Sequence, residues 1–189
     1  MKWMIRFLIV FVILLSGSGC APVIIKPHWG FEKEAVRIHV RADHRLNMYN
    51  GRAHTLYICI YQLKTPNGLD QLAQDQDGIR QLLECRLFDD SVAVASSKVI
   101  HAGEHLTMIM DRAEKARHLA IVAGYSAGLI GDRVVRRHAF QSGKHKEGYF
   151  KKEYRCLPCE LNVELMLGPY QIENSHIMPN QPECSDECE

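Results

Sequence analysis

No apolar run in the 189-residue chain is long enough to cross a bilayer as a helix. Such a crossing takes roughly 20 apolar residues, and the longest run, residues 7–15, stops well short. Neither sign of charge is in excess, with 23 Lys and Arg against 22 Asp and Glu. A balanced chain offers no electrostatic case for a nucleic-acid partner. His-Glu-x-x-His, Gly-x-Ser-x-Gly and a Gly-rich phosphate loop opening a helix are all missing. Those absences remove the familiar hydrolase and nucleotide sites. No internal repeat points to a solenoid. The expectation is a protein without catalytic residues, cofactor or metal.

What the chain does have begins at its N-terminus. Lys2 and Arg6 precede the apolar residues 7–15, and Ser16-Gly17-Ser18-Gly19 leads into Cys20. A cationic start, a short apolar core and small residues before a cleavage point make a secretory signal over 1–19. A cysteine placed directly after the small residues looks like a bacterial lipobox, in which Cys20 is lipidated and becomes the first mature residue. Lipidation turns a spanning segment into an anchor. Ala21, where Asp tends to retain a lipoprotein at the inner membrane, implies the outer membrane. The plainer alternative is an ordinary signal with a chance cysteine. Residues 1–19 hold two basic residues and no acid, so the remainder carries 21 basic against 22 acidic residues.

Residues 20–34 contain Pro22, Pro27 and Gly30 and read as a lipidated spacer, with Trp29 and Phe31 either packing where it meets the domain or standing as unpacked linker aromatics. From 35 to 168 the pattern is that of strands. Val36, Ile38, Val40 and Ala42 alternate with Arg37, His39 and Arg41, which predicts a half-buried strand. Asn50-Gly51 signals a tight turn in the following loop. Residues 55–63 are apolar on both faces, as in a central strand. Residues 69–83 carry apolar positions at helical spacing, with Gly78 as the expected break. Short strands are expected at 92–95, 98–101, 105–111, 119–125, 134–140 and 161–167. Together they predict a mainly β, two-sheet sandwich with a short helical insertion. Residues 169–189 read as an acidic, cysteine-bearing tail with little order of its own.

Besides Cys20 there are six cysteines: Cys59, Cys85, Cys156, Cys159, Cys184 and Cys188. In an exported chain an even set reads first as disulfides, with fifteen possible connectivities. Cys59 and Cys85 would join the second strand to the helical insertion. The pairs Cys156/Cys159 and Cys184/Cys188 admit three readings: disulfides pinning the tail, a four-thiolate metal site, or a redox pair. The last two define a rival function, a periplasmic metal-binding or thiol-redox protein. His101 and His105 flank a turn, which polar strand ends explain as well as a metal does. The basic clusters Arg133/Arg136/Arg137 and Lys144/Lys146/Lys151/Lys152 read as solvated faces.

The order of certain blocks resembles one family. Trp29-Gly30-Phe31 precedes the first strand, and Leu46-Asn47 with Gly51-Arg52 follows it. Then come Ile60-Tyr61-Gln62-Leu63, a helix ending near Leu82-Leu83, Ala102-Gly103-Glu104 and Ile121-Val122-Ala123-Gly124-Tyr125. This is similar to the outer-membrane lipoproteins of type VI secretion systems, the TssJ family. The residues beyond Gly143 lie outside the resembling pattern. Membership implies a transthyretin-like β-sandwich with extra helices, no catalysis, and a partner, the periplasmic C-terminal domain of the inner-membrane component TssM. It also implies that the loop between the first two strands takes part in that contact, here Leu46, Asn47, Met48, Tyr49, Asn50 and Gly51. Exposed apolar groups beside a tight turn suit a partner contact. Alternatively, Leu46 and Tyr49 fold back to cap the sandwich.

Overall fold

The computed structural model describes residues 23–147 and 153–179. Cys20, Cys184 and Cys188 lie outside them. Eleven strands are present among the described residues: β1 (Val23–Ile25), β2 (Glu32–Ala42), β3 (Leu56–Leu63), β4 (Val92–Ile100), β5 (His105–Arg112), β6 (His118–Ala123), β7 (Val135–Ala139), β8 (Ser142–Glu147), β9 (Glu153–Pro158), β10 (Leu161–Leu167) and β11 (Ile172–Ile177). They build a sheet of order β11-β10-β2-β5, a second of order β4-β3-β6-β7, and a three-stranded sheet β1-β9-β8. The first two form the expected sandwich.

Alternation drives the packing. Val36, Ile38 and Val40 on β2 and Leu161, Val163, Leu165 and Leu167 on β10 are buried, while Arg37, His39 and Arg41 and, on β10, Asn162, Glu164 and Met166 between them are more exposed. The two strands run parallel, Val36 opposite Leu161 and Ala42 opposite Leu167. Register here is dictated by burial, because a one-residue slip would turn every core side chain outward. Opposite them, Leu56, Ile58 and Ile60 of β3 and Leu119, Ile121 and Ala123 of β6 complete the core. Gln62, buried in β3, donates to the Asp111 carbonyl at 2.7 Å and accepts from the Ala113 amide at 2.7 Å. One amide thus ties the β4-β3-β6-β7 sheet to the end of β5, in the other sheet, with both polar ends satisfied.

The other face of β3 is covered by two short helices, α1 (Asn67–Leu72) and α2 (Gln76–Leu82). Tyr61 donates its hydroxyl to the Leu82 carbonyl, and its ring meets Phe88 edge-on at 5.6 Å. Burial pushes the Tyr61 phenol up to about 12. The break between the helices falls at Asp75, not at Gly78 as the sequence suggested. Asp75 caps α2 by accepting from the Gly78 amide at 2.7 Å. Gly78 serves close packing instead, since a Cβ there would lie 2.0 Å from the Leu72 carbonyl oxygen.

Cys59 of β3 and Cys85 just after α2 form a disulfide, with Cα atoms 5.4 Å apart. It closes a loop across 26 residues, worth about 3.5 kcal/mol on chain-entropy grounds. Replacing both cysteines by alanine is therefore expected to lower stability by about 3 kcal/mol, read as a reduced urea midpoint. An unchanged midpoint would mean that the helices dock without the link.

Several boundaries differ from expectation. Residues 92–100 form one strand rather than two, because the ladder to β3 runs unbroken from Leu56–Ile100 to Gln62–Val94. Residues 172–177, expected to be tail, form β11, paired antiparallel to β10 with Leu165 opposite Ser175. Its single buried apolar residue, Ile172, is too weak a pattern to announce a strand. β11 also closes the sandwich against β7, where His138 and Ser175 side chains meet at 2.6 Å. Burial, with Arg136 and His176 nearby, holds the His138 imidazole below its ordinary range. The spacer is not featureless either, since it contains β1 and the first residues of β2.

Candidate functional site

All the residues named for a partner contact lie between β2 and β3, at the end of the sandwich where β2 and β10 finish. Asp43 opens the loop. Its amide donates to the Leu167 carbonyl at 2.8 Å, and its carboxylate accepts from the Arg45 amide at 2.7 Å. Leu46 then turns inward and is fully buried.

Asn47 is the structural pivot. Its φ of +47° lies in the left-handed region, which Asn tolerates better than most residues. It is 4% exposed, its Nδ2 donates to the Thr55 carbonyl at 2.8 Å, and its Oδ1 accepts from the Ser126 amide at 2.8 Å. One side chain therefore locks the loop to its own return arm and to the segment after β6. Asn47→Ala removes both bonds, taking that partner from the Thr55 carbonyl and the Ser126 amide, a loss of about 2 kcal/mol at roughly 1 kcal/mol per bond. Thermal unfolding at a lower temperature, with faster amide exchange over 48–54, is the expected outcome.

Beyond the pivot the loop becomes a miniature hairpin. Tyr49 and Arg52 exchange backbone hydrogen bonds of 2.9 and 3.1 Å. Between them Asn50 and Gly51 have φ of +49° and +72°, the pairing that a tight hairpin turn requires. Tyr49 is 53% exposed. Its ring is met edge-on by His54 at 6.2 Å, and the His54 ring nitrogen Nε2 lies 3.3 Å from the Tyr49 carbonyl. Met48 is half-buried, its amide donating to the Pro169 carbonyl at 2.7 Å. The two sequence alternatives thus divide between residues: Leu46 folds back, and Tyr49 stands out on a rigid turn.

Ala102-Gly103-Glu104 supports the loop from beneath. The Gly103 amide donates to the Asp43 carbonyl at 3.1 Å, and Glu104 accepts from the His101 amide at 2.7 Å. A Cβ on Gly103 would sit 2.5 Å from the His44 ring, and its φ is +72°. Sequence reasoning had no means to place Pro169 and Ser126 beside this loop, since only folding brings them there.

The opposite end of the sandwich holds the chain's approach to β2. Trp29 is half-buried against the core, its carbonyl accepting from the Lys115 amide at 2.7 Å. The Arg112 and Arg117 guanidinium groups lie 5.7 and 5.9 Å from its ring centroid, within cation–π range. Burial pulls the Arg112 pKa down from its usual value. The two aromatics thus divide between the sequence alternatives: Trp29 packs, while Phe31 is 62% exposed. Two members of the basic cluster near β7 have structural partners: Arg136 donates to the Ile172 carbonyl at 2.8 Å, and Arg137 pairs with Asp70, while Arg133 is exposed.

Cys156 and Cys159 are both disulfide-bonded, so neither offers the thiolate that a metal or redox site would need. Among the described residues no group of three His, Cys, Asp or Glu side chains is placed to hold a metal. Nor is any helix among them long and apolar enough to cross a membrane.

A family model described as type VI secretion lipoprotein (VasD, EvfM, TssJ) matches residues 34–147. The chain belongs to this family. The matched segment runs from the start of β2 through β8 and contains the whole loop between β2 and β3. No curated protein sequence matches the chain. Among solved structures, the type VI secretion lipoprotein TssJ1 from Pseudomonas aeruginosa is similar at 17% identity and a TM-score of 0.54, over 82% of this chain and 100% of that one. Serratia marcescens Lip, a membrane-bound component of the type VI secretion system, aligns at 13% identity and a TM-score of 0.52, over 77% of this chain and 98% of that one. A chain in the structure described as the TssM C-terminal domain (869–1107) from EAEC aligns at 12% identity and 0.53, over 77% and 98%. At these identities the likeness is one of fold. The TssJ-type sandwich is thus shared, and the family is that of the secretion-system lipoprotein.

Proposed function

We propose that this TssJ-family lipoprotein is anchored in the outer membrane by acyl chains on Cys20 and docks the periplasmic C-terminal domain of TssM through the loop between β2 and β3. The role is mechanical, joining two envelope layers, with no cofactor beyond the covalent lipid. The observation that carries it is the polarity of the sandwich. The chain enters β2 at the Val36–Leu161 end, whereas Tyr49 is held rigid and exposed beyond the Ala42–Leu167 end. An anchor at one end and a contact at the other is the arrangement a bridging component needs. Tyrosine on a preorganised turn also suits a contact, because little conformational entropy is lost on binding. Within the loop the roles separate: Leu46 and Asn47 build the platform, and Met48, Tyr49, Asn50 and Gly51 present the surface. The full chain, extracted from membranes in detergent, is expected to retain the TssM periplasmic domain on an affinity resin. Recovery of the lipoprotein without TssM would reject the assignment.

A further inference from the structure

The three-stranded sheet β1-β9-β8 has no part in the sandwich, and the family match ends at residue 147, before β9 begins. Its connections are telling. β8 follows β7 after two residues, β9 leads into β10 after two more, and β1 leads into β2. All three junctions lie at the end of the sandwich remote from the loop between β2 and β3. The Cys159 amide, donating to the Gln141 carbonyl at 2.9 Å, ties the base of the sheet together. The outer end of the β8–β9 hairpin is the pair Glu147–Glu153, and Glu153 is the residue opposite Val23. Val23, in turn, is only three residues from Cys20.

We infer that the β8–β9 hairpin is a clamp for the lipid anchor: by pairing with β1 it holds residues 23–25, just downstream of Cys20, as a short stalk. This rests on the reading of Cys20 as the lipidated residue. The register is specific, with Val23, Ile24 and Ile25 parallel to Glu153, Tyr154 and Arg155. Three residues span at most about 11 Å, so holding Val23 limits the reach of the anchor from the hairpin's outer end to that distance. Released from β9, the nine-residue stretch from Cys20 to Trp29 could reach about 30 Å and would sample all directions. The dependence is mutual, because a two-stranded hairpin is marginal in water and gains from a third strand. The disulfide bonding of Cys156, within β9, and of Cys159, at its base, constrains that hairpin further. The clamp thus assigns a purpose to the cysteine-bearing segment that the family match leaves out. It fixes the direction in which the sandwich, and the loop at its far end, stands from the membrane.

Hydrogen exchange on the full lipidated chain, in vesicles of phosphatidylethanolamine and phosphatidylglycerol, tests this. Mass analysis of the N-terminal peptide reads acylation in the same samples. Amides of residues 24–25 and 153–157 are expected to be protected together. The double variant Ile24→Pro/Ile25→Pro removes an inward N–H whichever of the two faces β9. It is expected to raise exchange in 153–157 about tenfold or more, with the sandwich strands unchanged. Unprotected amides at 24–25 in the native chain, or no effect of the prolines on 153–157, would overturn the clamp. An unacylated N-terminal peptide would overturn the stalk by removing the anchor, whatever the amides do. Loss of TssM binding with intact protection would count against the docking assignment alone.

Discussion

Cys20→Ser is expected to move the protein almost entirely from the membrane fraction to the soluble periplasmic fraction and to abolish type VI secretion. The reason is arithmetic. Each buried methylene of an acyl chain contributes about 0.8 kcal/mol, and a durable anchor takes more than one chain. Serine offers no thiol for the lipid, and no helix among the described residues could substitute as a membrane span. Among the described residues the buried core begins at Val36, well downstream of Cys20, so the released protein should keep its unfolding midpoint. Fractionation, secretion assays and the mass of the N-terminal peptide check the three parts. Membrane retention with secretion intact in the serine variant would remove the anchor.

Met48→Asp/Tyr49→Asp should weaken binding of the TssM periplasmic domain by at least about 30-fold, the equivalent of about 2 kcal/mol lost at an aromatic anchor. Burying a new carboxylate in the contact adds a desolvation penalty of the same sign. Tyr49 is largely solvent-exposed and the turn is made by backbone bonds and by Asn50-Gly51. The sandwich should therefore remain folded. Calorimetric titration and a urea midpoint, measured on the same sample, separate the two effects. Tyr49→Ala alone gives a milder version, free of the half-buried Met48. Unaltered affinity in both variants would reject the loop as the contact. Asn47→Ala makes a useful contrast, since it should lower stability first and binding only through loss of loop order.

Much of the sandwich was legible in the residues. β2 and β10 announce themselves by strict alternation, and β3 by apolar residues on both faces. Asn50-Gly51 marks its turn because few residue pairs accept two successive positive φ angles. The blocks shared with the family were legible as a resemblance, and the structure supplies their reasons: a left-handed Asn47, a close approach of Gly103 to His44, and Glu104 accepting from the His101 amide. Local rules failed where distant contacts decide. Gly78 looked like a helix breaker and is a packing residue, since its neighbour Leu72 belongs to another helix. β11 lacks an apolar period of its own and exists through the edge that β10 offers it.

The sequence by itself determined the β alternation and the tight turn at 50–51, and it is the sole source of the expectation of an export signal with a lipid cysteine. Each depends on chemistry within a few residues. Only the tertiary structure decided which loop residues serve the core and which face outward. Leu46 and Tyr49 are three apart and similarly apolar, but the bonds that hold Asn47 to the Thr55 carbonyl and the Ser126 amide fix the turn with one in and the other out. It likewise decided that Val23–Ile25 pair with Glu153–Arg155. A contact across some 130 positions depends on the route of the whole chain, and no local pattern can encode it.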